Sequence, residues 1–241
     1  MSVLATGFAA EPDTRLFELR TYHAAPGKLD ALNARFRDHT VKLFEKHGIT
    51  SIGYWTPVDN TNNVLIYLLA FPNREAHDTS WKEFGSDPDW QATWKASEVN
   101  GKLVNKVDSV FLAVTDFSPM VAPSQPGEPR LFELRTYHAS PGKLDDLLAR
   151  FRNHTTALFD KHDLKQFGYW TPTEKKDGAG ETLIYLLAHK NKDGADAAWK
   201  SFRADPDWVK AKSDSETNGP LTIPGGVQSV YLTPTDYSPT K

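Results

Sequence analysis

The sequence predicts an α+β fold in which two copies of one compact unit close into a single eight-stranded barrel with helices outside. Three observations carry this: a duplication running the length of the chain, a strand–helix–strand–strand–helix–strand order in each copy, and a third strand that is apolar on both faces.

The duplication is read directly. LFELRTYHAAP at Leu16–Pro26 returns as LFELRTYHASP at Leu131–Pro141, and GKLDALNARFRDHTVKLFEKH returns as GKLDDLLARFRNHTTALFDKH. GYWTP recurs at Gly53 and Gly168, LIYLLA at Leu65 and Leu183, and DPDW at Asp87 and Asp205. A Thr-Asp-aromatic-Ser-Pro phrase closes each copy, at Thr115 and Thr235. A period this long means whole-domain duplication rather than a solenoid. The expected division is a leader over 1–13, a first domain over 14–118, a Pro-rich linker over 119–128 and a second domain over 129–241.

Each element has a local cause. Leu16–His23 alternates as a strand, and Pro26-Gly27 turns the chain into a helix striped by Leu29, Leu32, Phe36, His39/Thr40, Leu43 and His47. Gly48 sits where a helix-terminating glycine belongs. Ile49–Val58 and Val64–Phe71 read as a hairpin about a polar Asp59–Asn63 turn. A second helical region begins near Asn73 and restarts at Asp87-Pro88, with aspartate as cap and proline in the first turn. Val107–Val114 is the fourth strand.

This order is the ferredoxin-like βαββαβ plan, an antiparallel sheet with helices on one face. Strand three presents Val64, Ile66 and Leu68 on one side and Leu65, Tyr67 and Leu69 on the other, so it needs cover on both. The second copy supplies that cover, and the two sheets pair within one chain.

The spaced phrases ELRTY and PGK, the F-x-x-H helix, HG-x-x-x-x-GYW, the asparagine before strand three and DP-x-W together resemble the NIPSNAP family. The resemblance spans nearly all of both copies. It implies the dimeric α/β-barrel group of ferredoxin-like folds and little chemistry, since the family has no assigned common activity. The chain departs from the family pattern in strand three, with Tyr67 and Leu69, and Tyr185 and Leu187, where many members have histidine and tryptophan.

Composition narrows the function. The 241 residues carry net charge −3, which leaves no electrostatic footprint for nucleic acid. There is no cysteine, so disulfides and thiolate sites are excluded. No apolar run is long enough to span a bilayer. The small apolar residues at the start, MSVLATGFAA, lean towards an export signal, although the basic segment such signals carry is missing. No HExxH, P-loop, GxSxG or GxGxxG motif is present, and neither metal nor cofactor is expected.

Alternation in the first strand separates Phe17, Leu19 and Thr21 from Glu18, Arg20 and Tyr22. The apolar set is expected to pack on the helices, which sends Glu18, Arg20 and Tyr22, with Glu133, Arg135 and Tyr137, towards the space between the sheets. Tyr67, Tyr185 and His189, the last standing where the first copy has Phe71, join them as lumen candidates. The commoner reading is an internal Glu–Arg lattice that docks the sheets; the sharper one is a polar lumen holding a small anionic or aromatic molecule. His39 and His154 are the helix candidates, either core histidines or, less often, a general base or haem ligand. His47 and His162 suit helix C-termini. Trp81, Trp90, Trp199 and Trp208 read as helix-side packing.

Three functions follow in order: a small-molecule-binding or interaction module, a cofactor-independent monooxygenase or isomerase, and a haem-binding protein. The expected partner is a small molecule between the sheets, with self-association of the two-domain chain also open.

Overall fold

The computed structural model describes residues 13–124 and 130–241. The expected leader, apart from Asp13, and residues 125–128 of the expected linker lie outside the described residues. The first copy runs β1 (Leu16–Ala24), α1 (Leu29–Arg35), a π-helical turn (Phe36–Thr40), α2 (Val41–Lys46), β2 (Thr50–Pro57), β3 (Val64–Phe71), α3 (Arg74–Ser86), α4 (Pro88–Ser97) and β4 (Val104–Val114). The second repeats it as β5 (Leu131–Ala139), α5 (Leu144–Arg150), a π turn (Phe151–Thr155), α6 (Thr156–Lys161), β6 (Lys165–Pro172), β7 (Thr182–His189), α7 (Lys192–Ala204), α8 (Pro206–Ser215) and β8 (Thr222–Pro234).

Local signals act as expected at the helix starts. Asn73 and Asn191 cap α3 and α7 by accepting from Ala76 N and Gly194 N, and Asp87 and Asp205 cap α4 and α8. His47 and His162 do more than sit at a helix end. Each places Nε2 2.6 Å from the capping aspartate, Asp87 or Asp205, and so ties the end of α2 to the start of α4 and the end of α6 to the start of α8.

All eight strands are antiparallel and close in the order β1-β3-β2-β8-β5-β7-β6-β4. The seams between copies are short: Trp55–Pro57 against Leu232–Pro234, and Leu112–Val114 against Trp170–Pro172. The closing phrases reinforce them by crossing over. Tyr237 stacks on Phe36 and Phe117 on Phe151, while Arg37 pairs with Asp236 and Arg152 with Asp116. Ser238 and Ser118 accept from the backbone N–H of Tyr54 and Tyr169. Val121, in the stretch read as linker, is fully buried against the barrel core.

The barrel interior is closely packed with apolar side chains and corrects the expected phase of the first strand. Phe17, Leu19, Phe132 and Leu134 point inward with Trp55, Ile66, Leu68, Leu112, Trp170 and Leu186, and the gap left among them is about 10 Å³. A void that small has no room for a ligand. The bulges at Ile52 and Phe167 allow this packing, because Trp55 and Trp170 lay their indoles over Gly53 and Gly168, where a Cβ would collide with the ring.

Glu18, Arg20, Tyr22 and Tyr67, and Glu133, Arg135, Tyr137, Tyr185 and His189, therefore do not line a lumen. They lie on the outer face of the sheet, beneath the helices. The physical reason is the supply of partners: the inter-sheet face is lined mainly by apolar side chains, with single indoles from Trp55 and Trp170, whereas the outer face gathers a tryptophan, a serine, an arginine and a histidine around each buried glutamate.

Candidate functional site

Beneath the helices of each copy lies a polar cage. Glu18, 1% exposed, accepts from Trp81 Nε1 at 3.0 Å and Ser109 Oγ at 2.6 Å, pairs with Arg20, and meets His77 Nε2 at 3.2 Å. Arg20 Nε also donates to Tyr67 Oη at 3.0 Å, and its guanidinium lies over the Trp81 ring at 4.4 Å. In the second copy Glu133, also 1% exposed, accepts from Trp199 Nε1 at 2.7 Å and Ser229 Oγ at 2.6 Å, and pairs with Arg135 and His189 Nε2 at 3.0 Å. Arg135 donates to Tyr185 and Tyr137 and lies 4.3 Å over Trp199.

Burial alone would raise both carboxyls. The histidine hydrogen bond, the arginine charge and the serine hydroxyl outweigh it and hold each at about 2. The arginines move the other way, upward against desolvation, through their tyrosine and glutamate neighbours. A carboxylate so acidic, with both oxygens engaged, is a poor proton acceptor. The cage orients groups; it is not a general base.

Above each cage the helix layer leaves a cleft, about 320 Å³ in the first copy and 270 Å³ in the second. The clefts occupy equivalent places: Tyr22, Phe36, Phe44, Phe84 and Trp90 line one, Tyr137, Phe151, Phe159, Phe202 and Trp208 the other. The π turns begin at Phe36 and Phe151, and π turns recur at functional sites. Thr40 and Thr155 close these wide turns by donating to the carbonyls of Arg35 and Arg150.

Arg35 and Arg150 line the clefts with side chains only 5% exposed. Arg35 reaches Ser97 at 3.2 Å and Glu98 at 3.5 Å; Arg150 reaches Ser215 at 3.3 Å and Glu216 at 2.8 Å. Each lies over an indole, Trp90 at 5.4 Å and Trp208 at 5.2 Å. Among the described residues, neither Nε has a hydrogen-bond partner. Burial also lowers the proton affinity of Arg35 against the pull of Tyr22 and Glu98.

The structure thus gathers Glu18, Arg20, Tyr22 and Tyr67 into one cluster, and Glu133, Arg135, Tyr137, Tyr185 and His189 into another. It separates His39 and His154 from both. These two are exposed, because the π turn brings Thr40 and Thr155 inward in their place. They are not core histidines. His77, Arg35, Arg150, Glu98 and Glu216 are the site residues the sequence reading passed over, and Trp81 and Trp199 hold the cage glutamates as well as packing. Among the described residues no helix could cross a membrane, and no group of three metal-ligating side chains forms.

Known proteins resemble the chain in both sequence and fold. The Dictyostelium discoideum protein described as "Protein NipSnap homolog" is 21% identical over 208 residues, 85% of this chain and 83% of that one. The crystal structure of a "putative monooxygenase" from Lactobacillus acidophilus NCFM superposes with a TM-score of 0.56 at 12% identity, covering 92% of this chain and 94% of that one. A Fusobacterium nucleatum protein of the same description gives 0.57 at 10% identity, covering 92% of each. At such identity these two structures share the fold alone. The NIPSNAP family pattern matches residues 17–119 and again 132–239, so the chain belongs to the NIPSNAP family as a tandem of two NIPSNAP domains in one α/β barrel.

Proposed function

We propose that the chain is a small-molecule-binding protein with two pseudo-equivalent sites, one under the helix layer of each repeat. One observation carries this reading. Both repeats keep an aromatic cleft at the same place, lined by a buried arginine whose Nε has no protein partner. Volumes near 300 Å³ stand at the small end of ligand sites, which run from roughly 300 to 1,000 Å³. An arginine kept largely from water usually finds partners for its donors, so one left short in both copies suits an added acceptor.

Binding is favoured over catalysis because the acidic groups nearest the clefts are already engaged. Glu18 and Glu133 are saturated; Glu98 pairs with Arg35 and accepts from Leu103 N–H at 3.3 Å. A cofactor-independent oxygenase or isomerase would use the same clefts and would add oxygen uptake or turnover to binding.

The test follows the indole N–H resonances of Trp90 and Trp208, assigned with Trp90→Phe and Trp208→Phe. The whole protein is titrated with three bicyclic probes: 2-naphthoate, 2-naphthamide and 2-naphthylmethylammonium. At least one probe should shift both indoles saturably. If none moves either indole in folded protein, the binding reading is wrong.

A further inference from the structure

We infer that the two clefts are not equal, and that the first-repeat cleft is the tighter site for a planar aromatic anion. The inference rests on the binding reading above and adds the ligand class and the preferred repeat.

One exchange in the lining supports the choice of repeat. Trp94 stands at the mouth of the first cleft, 50% exposed; the second repeat has Lys212 there. A half-exposed indole beside a cleft already walled by aromatics offers a stacking face at the entrance. The charged linings differ in placement and not in balance, since Lys106 is paired with Asp108 at 2.8 Å and each cleft then sets two cations against one carboxylate. The first cleft is lined by Arg35, Lys102 and Lys106 against Glu98. The second has Arg150 and Lys212 against Glu216, with Pro220 replacing Lys102 and Gly226 standing opposite Lys106.

The preference for an anion comes from the guanidinium. Glu98 is 3.5 Å from Arg35, whereas Glu216 holds Arg150 at 2.8 Å. The first arginine is the more loosely engaged and keeps more of its donor capacity for a ligand carboxylate, which it would meet in a pocket of low dielectric. A planar acid can place its ring between Trp94 and the inner aromatics with its carboxylate towards Arg35. A neutral isostere keeps the stacking and loses the charge-assisted hydrogen bond.

The same probes decide the matter with Trp90 and Trp208 as separate reporters. 2-Naphthoate should saturate the Trp90 signal at a concentration at least about tenfold below that for 2-naphthamide, the scale of one charge-assisted hydrogen bond. It should also favour Trp90 over Trp208. Trp94→Leu, a substitution at a half-exposed position, should weaken naphthoate at the Trp90 cleft by roughly three- to tenfold and leave the Trp208 cleft unchanged. If the amide or the ammonium binds as tightly as the acid, the anion assignment is overturned while binding itself stands. Equal affinity of the clefts, or no effect of Trp94→Leu, overturns the assignment of the first repeat. Absence of any binding overturns the underlying reading instead.

Discussion

The two cages reach the same arrangement by different routes. In the first repeat the imidazole beside the glutamate comes from helix α3, as His77; in the second it comes from the end of strand β7, as His189. The counterpart of His77 is Ala195, and the counterpart of His189 is Phe71. The histidine has changed element, yet its Nε2 lies 3.2 Å from Glu18 Oε2 and 3.0 Å from Glu133 Oε2. Around it the Arg, Tyr, Trp and Ser partners keep their positions. The comparison teaches that what is retained is the environment of the carboxylate, and that either of two backbone positions can supply the ring.

If the cages are equivalent, removing either carboxylate should be the most damaging single change. Glu18→Ala leaves Arg20 buried without its charge partner, and Glu133→Ala does the same to Arg135. Breaking a buried pair from one side costs about 3–5 kcal/mol. Urea unfolding monitored by tryptophan fluorescence should show losses of that size for both variants, with the glutamine replacements milder. A large loss for one and a negligible loss for the other would break the comparison at its centre.

Acid titration sharpens the same point. Both carboxyls are held at about 2 in the folded chain against an ordinary value of 4.5. A depressed acid stabilises the fold fully above its unfolded value and loses that contribution as pH falls towards its folded value. The window is therefore pH 4.5 down to about 2, with roughly 3 kcal/mol at stake in each cage. Glu18→Gln should flatten the acid limb of the stability curve by one cage's share, and Glu133→Gln by about the same. An acid limb unchanged in both would mean that the carboxylates owe little to their partners.

Much of the fold was legible in the sequence because the duplication and the doubly apolar third strand both demand it. The phase of β1 was not. Phe17, Leu19 and Thr21 form the more apolar set, but both faces of that strand are covered, so apolar character alone could not say which cover each set meets. The decisive signal is a donor inventory. Trp81 with Ser109, and Trp199 with Ser229, recur at the same places in each repeat and give each glutamate two donors, while the inter-sheet face brings one indole N–H per repeat, from Trp55 or Trp170, set among apolar side chains. The clefts were hidden for another reason. A π turn leaves no clear mark in a periodic stripe, so Thr40 and Thr155 stand inside where His39 and His154 also fit the count. His77 carries no such mark, since it lies on a helix whose stripe reads as packing and Ala195 stands in its place in the second repeat.

The exchange of histidine positions can itself be tested by grafting one route onto the other repeat. His77→Ala should cost about 1–3 kcal/mol, the range for leaving a buried acceptor short of one partner. Adding Phe71→His to that variant recreates the second-repeat arrangement, with histidine at the strand end and alanine on the helix. The added imidazole gives up packing, since Phe71 is fully buried and its ring lies 4.8 Å from that of His77. Phe71→His alone should therefore destabilise, because two rings then compete for one carboxylate oxygen. The double variant should recover stability relative to the sum of the single changes, a coupling of about 1 kcal/mol or more in a double-mutant cycle. Additive losses would mean that the strand-end ring cannot reach Glu18 in the first repeat, and that the likeness of the two cages depends on differences in the surrounding backbone rather than on the carboxylate alone.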